Sequence, residues 1–234
     1  MLLLITDTSG RNGIVALART RQSGKHDEVQ ILDWVPLAGG TFSAQLVPQI
    51  ADLLKKHNLR KGDIDGFVVV SGPGSFTGLR VGLAAIKAVS EILRKPIVPV
   101  SLLEVVALAA GKQGRVLAAL DAGRAEVYAG EYEITSDARL VHAQLIHARL
   151  IDEKLVRKDD LAQFTQASVI STPDPLLAST LRGSGLSVFQ VEAVTPEMIA
   201  ALGWRKLQAG EEVSPERLDA NYIRRGAELA SSQG

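Results

Sequence analysis

The chain has 234 residues, with 26 Lys plus Arg and 26 Asp plus Glu, so its formal net charge is zero. A protein that binds nucleic acid unaided usually carries a basic excess, because its affinity comes largely from neutralised phosphates. We therefore expect any RNA to be held mainly by another subunit. The chain has no cysteine, which excludes disulfides, thiolate metal sites and a cysteine nucleophile.

The first half of the sequence predicts a mixed sheet covered by helices. Residues 2–6 form a continuous apolar run, which indicates a buried central strand. Turn-forming residues at 7–13 then lead into a second strand, as in a hairpin. The predicted strands are 2–6, 14–19, 29–35, 65–71 and 97–100, and the predicted helices are one capped by Thr41 or Ser43, one at 78–93 and one at 101–110.

The second half predicts a repeat of the same unit. An apolar strand at 116–120 is followed by Asp121-Ala122-Gly123-Arg124 and a strand at 126–133, much as the first strand is followed by an Asp, small residues and a Gly-Arg pair. This recurrence indicates a duplicated fold. Strands at 169–171 and 188–191 and a helix at 196–208 follow, whereas 135–166 is interpreted as an insertion or a loosely patterned pair of helices. We expect lobes at 1–110 and 111–230 and a disordered tail at 231–234.

No segment of the sequence predicts a membrane or secretory location. The apolar start lacks a basic n-region and a cleavage site, and no apolar run approaches the roughly 20 residues of a membrane helix. We expect a cytoplasmic protein.

The glycine-rich segment 72–80, GPGSFTGLR, joins a predicted strand to a predicted helix. Its glycines allow a tight turn and a close approach to another chain or to a phosphate, and a helix start presents free amides to an anion. A phosphate-binding Walker A loop is excluded, because Leu79 and not Lys follows Gly78. The segment is therefore either an anion or partner-docking loop or a simple connection between strand and helix.

The helix that follows this segment is apolar on more than one side, and the helix after Thr41 has a second apolar stripe as well. A surface helix needs only one such stripe. A second stripe is either buried or covered by a partner, and two deeply buried helices are hard to place in a chain of this length. The pattern favours a partner surface.

The two Asp-containing turns resemble the phosphate-binding hairpins of the actin, Hsp70 and sugar-kinase superfamily, in which an Asp lies near the nucleotide phosphates and the metal. The alternative is that Asp and Gly simply build hairpin turns. The candidate residues near a phosphate are Asp7, Thr8, Ser9, Gly72, Gly74, Asp121 and Gly123.

Five segments resemble the TsaB/YeaZ family. They are LLITDTS at 3–9, GPGSFTGLRVGL at 72–83, PIVPVSLLEV at 96–105, LDAGRAEVY at 120–128 and ANYIR at 220–224. They occur in the family's order and span nearly the whole chain, and the block at 72–83 is the most specific.

The resemblance implies a duplicated actin-like (ASKHA) α/β fold and a non-catalytic role in making threonylcarbamoyladenosine (t6A) at position 37 of tRNA. The expected partners are a TsaD-type catalytic subunit and a TsaE-type ATPase, with tRNA bound only through the complex and a homodimer when the partner is absent. It implies no cofactor or metal required by this chain, and it leaves open ATP or ADP at the complex interface.

Two helices of the first lobe are expected to meet two helices of the partner, with apolar burial supplying the affinity. A bulky residue at Gly82 is expected to weaken the complex without unfolding the protein. The expected docking residues are Leu46, Val47, Ile50, Ala51 and Leu54 on the first helix and Gly78, Leu79, Arg80, Gly82, Leu83 and Ile86 on the second.

Three other functions remain open at the level of sequence. One is a small nucleotide-binding ATPase or phosphotransferase that uses Asp7 and Asp121. Another is a glycoprotease-like peptidase, against which the lack of a thiol, of a Ser-His-Asp elbow and of a His-x-x-x-His pair argues. The third is a self-sufficient homodimer with a regulatory role.

Overall fold

The chain folds into two compact units, each built on a five-stranded sheet. In the computed structural model, the described residues are 1–23, 26–136, 146–164, 167 and 169–223. Unit 1 holds Met1–Ser101 and Thr195–Asn221, and unit 2 holds Leu102–Val194 and the described residues that follow Asn221.

The described secondary structure follows the predicted order of elements except for a strand at 146–157 and a helix at 175–183, which were not predicted. The strands are β1 (Leu2–Asp7), β2 (Gly13–Ser23), β3 (His26–Leu37), β4 (Gly66–Gly72), β5 (Ile97–Ser101), β6 (Gly114–Gly123), β7 (Glu126–Ser136), β8 (Ile146–Arg157), β9 (Val169–Thr172) and β10 (Val188–Gln190). The helices are α1 (Phe42–Lys56), α2 (Phe76–Leu93), α3 (Leu102–Ala109), α4 (Leu161–Phe164), α5 (Pro175–Gly183) and α6 (Pro196–Gln208).

The sheet of unit 1 has the order β3-β2-β1-β4-β5, with β1 at its centre. β1 pairs antiparallel with β2 and parallel with β4, and all six of its residues are buried, as a central strand requires. One face of the sheet packs on α1 and α2 through a core that includes Leu4, Val69, Leu46 and Leu83. α6 packs on the sheet of unit 1 as well, and at Gly203 a Cβ atom would overlap the side chain of Val68.

The C-terminal end of α1 is tied to β3 by a charged cluster. The Asp33 carboxylate lies 2.6 Å from the Lys56 ammonium and 2.9 Å from Nε2 of His57. Hydrogen bonds with these two side chains lower the pKa of the Asp33 carboxyl to about 2, and Lys56 has the larger effect. The cluster fixes the end of α1 over the edge strand of the sheet.

The sheet of unit 2 has the order β10-β9-β6-β7-β8 and repeats the strand directions of unit 1. β6 pairs antiparallel with β7 and parallel with β9, as β1 does with β2 and β4. α3 covers one face through Leu103 and Val106, and α5 covers the other through Leu177 and Leu181. The predicted duplicated α/β fold is confirmed.

The division between the units differs from the predicted boundaries of 1–110 and 111–230. α3 belongs to unit 2, because Leu103 and Val106 are buried against Val116 of β6. α6 returns to unit 1, because it packs on β3, β4 and β5. Amphipathic periodicity shows that a helix has a buried side, and it does not show which sheet buries it. The predicted tail at 231–234 lies outside the described residues.

The interpretation of 135–166 as an insertion or a pair of helices is wrong for 146–157, whereas the short helix α4 does lie in this segment. Residues 146–157 form β8, an edge strand that pairs with β7. Its register jumps from Asp152 to Leu150 opposite Glu131 and Tyr132, so Ile151 is an extra residue in a bulge. A bulge reverses the alternation of inward and outward side chains, which hides the period of two that marks a strand. Residues 137–145 lie outside the described part.

Within the described residues, none of the helices combines the length and the apolar character that crossing a membrane requires. The cytoplasmic location stays a prediction.

Candidate functional site

The turn that follows β1 is packed directly against the start of α2. The backbone N–H of Ser75 donates to the carbonyl oxygen of Ser9 at 2.6 Å, and Ser75 then caps α2 by accepting from the N–H of Gly78 at 3.2 Å. A Cβ atom at Gly74 would overlap the carbonyl oxygen of Ser9. The cap at Ser75 also explains why α2 begins at Phe76 and not, as predicted, at 78.

Two glycines one helical turn apart place the backbone of α2 on this turn. A Cβ atom at Gly78 would overlap the carbonyl oxygen of Thr8, and a Cβ atom at Gly82 would overlap its Oγ1. Positions i and i+4 share one face of a helix, so α2 presents a glycine face to Thr8. Only glycine allows this close approach. The glycine face, Gly78 and Gly82, therefore serves the internal packing of unit 1.

Asp7 is buried inside the same turn. The residue is 8% exposed. Its Oδ1 accepts hydrogen bonds from the backbone N–H of Ser9 at 2.8 Å and from the Ser9 hydroxyl at 2.6 Å. Burial raises the pKa of the Asp7 carboxyl, and the two bonds from Ser9 oppose that rise. The amide of Ser9, which a phosphate in this turn would need, is thus bonded to Asp7.

The start of the glycine-rich segment, at Gly72, is packed against the backbone of Asn221. Gly72 has φ +131°, and a Cβ atom there would lie 2.8 Å from the carbonyl oxygen of Asn221. The backbone N–H of Asn221 donates to the carbonyl oxygen of Ser71 at 2.7 Å. Gly72 and Gly74 are therefore required by contacts within unit 1, which supports the reading of this segment as a connection between strand and helix.

The corresponding turn of unit 2 is open but carries its own counter-charge. Oδ1 of Asp121 lies 3.0 Å from the ammonium of Lys158 and accepts from the N–H of Gly123 at 3.3 Å. Arg124 and Ala125 follow with φ of 52° and 63°, as the tight hairpin requires. A local cation already neutralises the carboxylate that the sequence assigned to a phosphate site. Across the described residues, no three His, Asp or Glu side chains are grouped so as to hold a metal ion.

The structure buries most of the predicted docking residues in the core of unit 1. One apolar side of α1 and one apolar side of α2 pack on the sheet of unit 1. A bulky residue at Gly82 would strike Thr8, so it would disturb the fold and cannot report on a partner alone. Val47, Ala51 and Arg80 are exposed, and the buried set is Leu46, Ile50, Leu54, Gly78, Leu79, Gly82, Leu83 and Ile86.

The outward sides of α1 and α2 carry a second set of apolar residues. α1 and α2 contact each other on the sheet, and we call these two sets of exposed residues together the docking face. The outer row of α2, at i+4 spacing, is Phe76, Arg80, Ala84, Ala88 and Ile92, and the exposed apolar residues of α1 are Ala44, Val47, Pro48 and Ala51.

The docking face has large apolar side chains at its ends and small ones in its middle. Val47 is 53%, Phe76 51% and Ile92 74% exposed. The guanidinium carbon of Arg80 lies 3.6 Å from the centre of the Phe76 ring, in a cation–π contact. Aromatic residues and arginines are enriched in protein interfaces relative to the rest of the surface.

Sequence reasoning found Val47 and Ala51 as part of a second stripe but missed Phe76, Ala84 and Ala88. The pattern that indicates this row is the spacing of four residues between positions 76, 80, 84, 88 and 92, which places them on one side of a helix. It was obscured because the helix was expected to start at 78 and because alanine fits both a buried and an exposed position.

We predict that Gly82→Ala lowers the free energy of unfolding by about 1–3 kcal/mol, since the new methyl group overlaps Oγ1 of Thr8. In a Thr8→Ala background, which removes that atom, the same substitution should cost at least about 1 kcal/mol less. Urea unfolding of the four proteins measures this cycle. If Gly82→Ala lowers the free energy of unfolding by the same amount in both backgrounds, Thr8 is not the reason that position 82 requires glycine.

We predict that Asp7→Asn changes the pH dependence of stability. The folded-state pKa of Asp7 is raised above 3.8, so the folded wild type binds a proton that the unfolded chain has lost, and wild-type stability falls as the pH rises through the folded pKa. Asn cannot titrate, so the stability of the variant relative to wild type should increase as the pH rises above about 4. Urea unfolding across this range tests it, and a pH-independent difference would contradict it.

Comparison with known proteins places the chain in a family. The sequence model of the TsaD family, described as tRNA N6-adenosine threonylcarbamoyltransferase, matches residues 36–212. The TsaB tRNA threonylcarbamoyladenosine biosynthesis proteins of Bacillus subtilis and Escherichia coli are 32% and 31% identical over 57% of this chain in each case, and over 56% and 55% of their own lengths. The chain thus spans about half the length of these curated relatives.

Solved structures agree on the fold. YeaZ from Pseudomonas aeruginosa has a TM-score of 0.68 at 22% identity, over 95% of this chain and 99% of that chain. Lmo2764 of Listeria monocytogenes, a proposed N-acetylmannosamine kinase, has a TM-score of 0.50 at 10% identity, over 90% of this chain and 100% of that one. The fold is of the duplicated actin-like (ASKHA) class. Since the family model covers more than half of the sequence, the chain belongs to the TsaD family, and within that family it is similar to TsaB and YeaZ proteins.

Proposed function

We propose that this chain is a non-catalytic subunit in the biosynthesis of t6A in tRNA, and that it acts by binding a TsaD-type catalytic subunit together with a TsaE-type ATPase. The relatives from Bacillus subtilis and Escherichia coli carry the name of a t6A biosynthesis protein. Binding would act indirectly, by favouring the productive arrangement of the catalytic subunit.

The closed turn at Asp7 is the observation that carries the non-catalytic part of the proposal. Nucleotide chemistry in this turn would need free backbone amides. Here Ser9 donates its N–H and its O–H to Asp7, and the glycine face of α2 fills the space over Thr8. The rival ATPase or phosphotransferase would have to open this packing. We propose that the chain itself requires no nucleotide.

The docking face supports the partner-binding part of the proposal. Its apolar residues lie on two helices, and the glycine face of α2 packs closely on Thr8. Association would remove Val47, Phe76 and Ile92 from water, which is the main source of affinity in such interfaces. The same face would serve a second copy of the chain when the catalytic subunit is absent. tRNA would be bound through the complex, because the chain carries no net charge.

We predict that Ala84→Arg in the middle of the docking face weakens binding to the organism's own TsaD-type subunit by at least about tenfold, because a long charged side chain would hold the helices apart. Ala201→Arg, on the exposed side of α6, is the matched control and should bind like wild type. Size-exclusion chromatography with light scattering, followed by calorimetry, measures both. Absence of any mixed complex for the wild type would overturn the proposal. If the two variants bind the TsaD-type subunit with equal affinity, the docking face is not the surface that binds it.

A further inference from the structure

An open pocket lies in unit 1 at the end of the sheet where β1 begins. It has a volume of about 530 Å³, which is within the range of sites that hold small molecules. Leu2 starts β1 and Asp7 ends it, so the pocket lies roughly 16 Å along that strand from the turn at Asp7. The residues that form it come from the start of β1, the end of β2 and the connection between α1 and β4, and they include Leu2, Arg19, Arg21, Leu59, Asp63 and Asp65.

Two arginines extend from β2 on the side of the pocket. Arg19 pairs with Leu2 in the register of β1 and β2, so their side chains lie on the same face of the sheet, which is the face that α1 covers. Arg21 is two residues further along β2 and lies on that face as well. Both arginines are exposed, and Glu28 is the residue opposite Arg21 on β3. Within the described residues, no hydrogen bond or ion pair engages either guanidinium group, so neither charge has a fixed partner there.

The carboxylates of the pocket have donors of their own. Oδ2 of Asp65 accepts from the backbone N–H of Leu2 at 2.8 Å, and its Oδ1 lies 3.7 Å from the ammonium of Lys95. Oδ2 of Asp63 accepts from the backbone N–H of Arg60 at 2.7 Å. These bonds hold the connection between α1 and β4 as one wall of the pocket. Of the charged side chains that line the pocket, the two arginines remain available to a ligand.

Arg19 and Arg21 are spaced so that both can hold one anion. Their Cα atoms are about 7 Å apart, as for any two residues i and i+2 of a strand, and long side chains from both can converge on one group. A guanidinium offers a planar fork of N–H donors that matches the oxygens of a phosphate. Two such charges match the charge of about −2 that a phosphate monoester carries near pH 7.

The apolar part of the pocket fits the remainder of such a molecule. Leu2 is buried, Leu59 is half-buried, and both are part of the packing of the core of unit 1. Apolar groups lower the effective dielectric constant and so strengthen an ionic contact beside them. We propose that this pocket binds a small molecule with a phosphate monoester group, and that Arg19 and Arg21 hold the phosphate. The inference is independent of the proposed function, because none of these residues belongs to the docking face.

Titration of the full chain with inorganic phosphate at constant ionic strength, followed by NMR, tests the site. The amide signals of residues 2, 19–21 and 65 should shift saturably. Arg19→Gln and Arg21→Gln should each weaken binding by at least about fivefold, because each removes one charged fork. Arg11→Gln removes an exposed arginine from the turn at the other end of β1 and should bind phosphate like wild type. Thermal melting confirms that each variant is folded.

Two esters test the class of ligand. Methyl phosphate forms a dianion and should displace inorganic phosphate, whereas dimethyl phosphate, a monoanion like the backbone of a nucleic acid, should bind at least about fivefold more weakly. No saturable shift with phosphate, equal binding by wild type and both pocket variants, or an equal loss in Arg11→Gln would each overturn the site. Equal binding of the two esters would overturn its assignment to a phosphate monoester.

Discussion

The contact between the glycine face of α2 and the turn after β1 is the constraint on which the rest of unit 1 depends. Gly78 and Gly82 lie so close to Thr8 that no side chain fits between helix and turn. The contact fixes the rotation of α2 about its own axis. With that rotation, Leu79, Leu83 and Ile86 enter the core, and the row from Phe76 to Ile92 faces outward.

One packing arrangement therefore has two structural consequences. It closes the turn that holds Asp7, and it leaves an apolar surface exposed on the opposite side of the same helix. In unit 2 the matching turn is left open, and Lys158 neutralises its carboxylate instead. Both turns retain the Asp of the duplicated fold, and in each the contacts of that Asp are internal.

Much of the fold was predictable from sequence, because continuous apolar runs such as 2–6 mark central strands directly and because α6 has a threonine cap and a proline at its first position. β8 was missed because the bulge at Ile151 reverses its alternation. Most of the residues predicted to dock a partner lie on the buried side of α1 or α2. Periodicity reveals two apolar stripes on α2, but only the contact of Gly82 with Thr8 decides which stripe faces inward, and that contact joins residues far apart in sequence.

The most direct test of this account is a nucleotide titration of the isolated chain, followed by NMR of its backbone amides. If the turn is closed as the structure indicates, Mg·ATP and Mg·ADP should leave the amide signals of Thr8 and Ser9 unchanged at concentrations that saturate ordinary nucleotide-binding proteins. Saturable shifts of those two signals, abolished by Asp7→Asn, would show that the turn opens to bind phosphate, and they would contradict the claim that this chain acts through its surface alone.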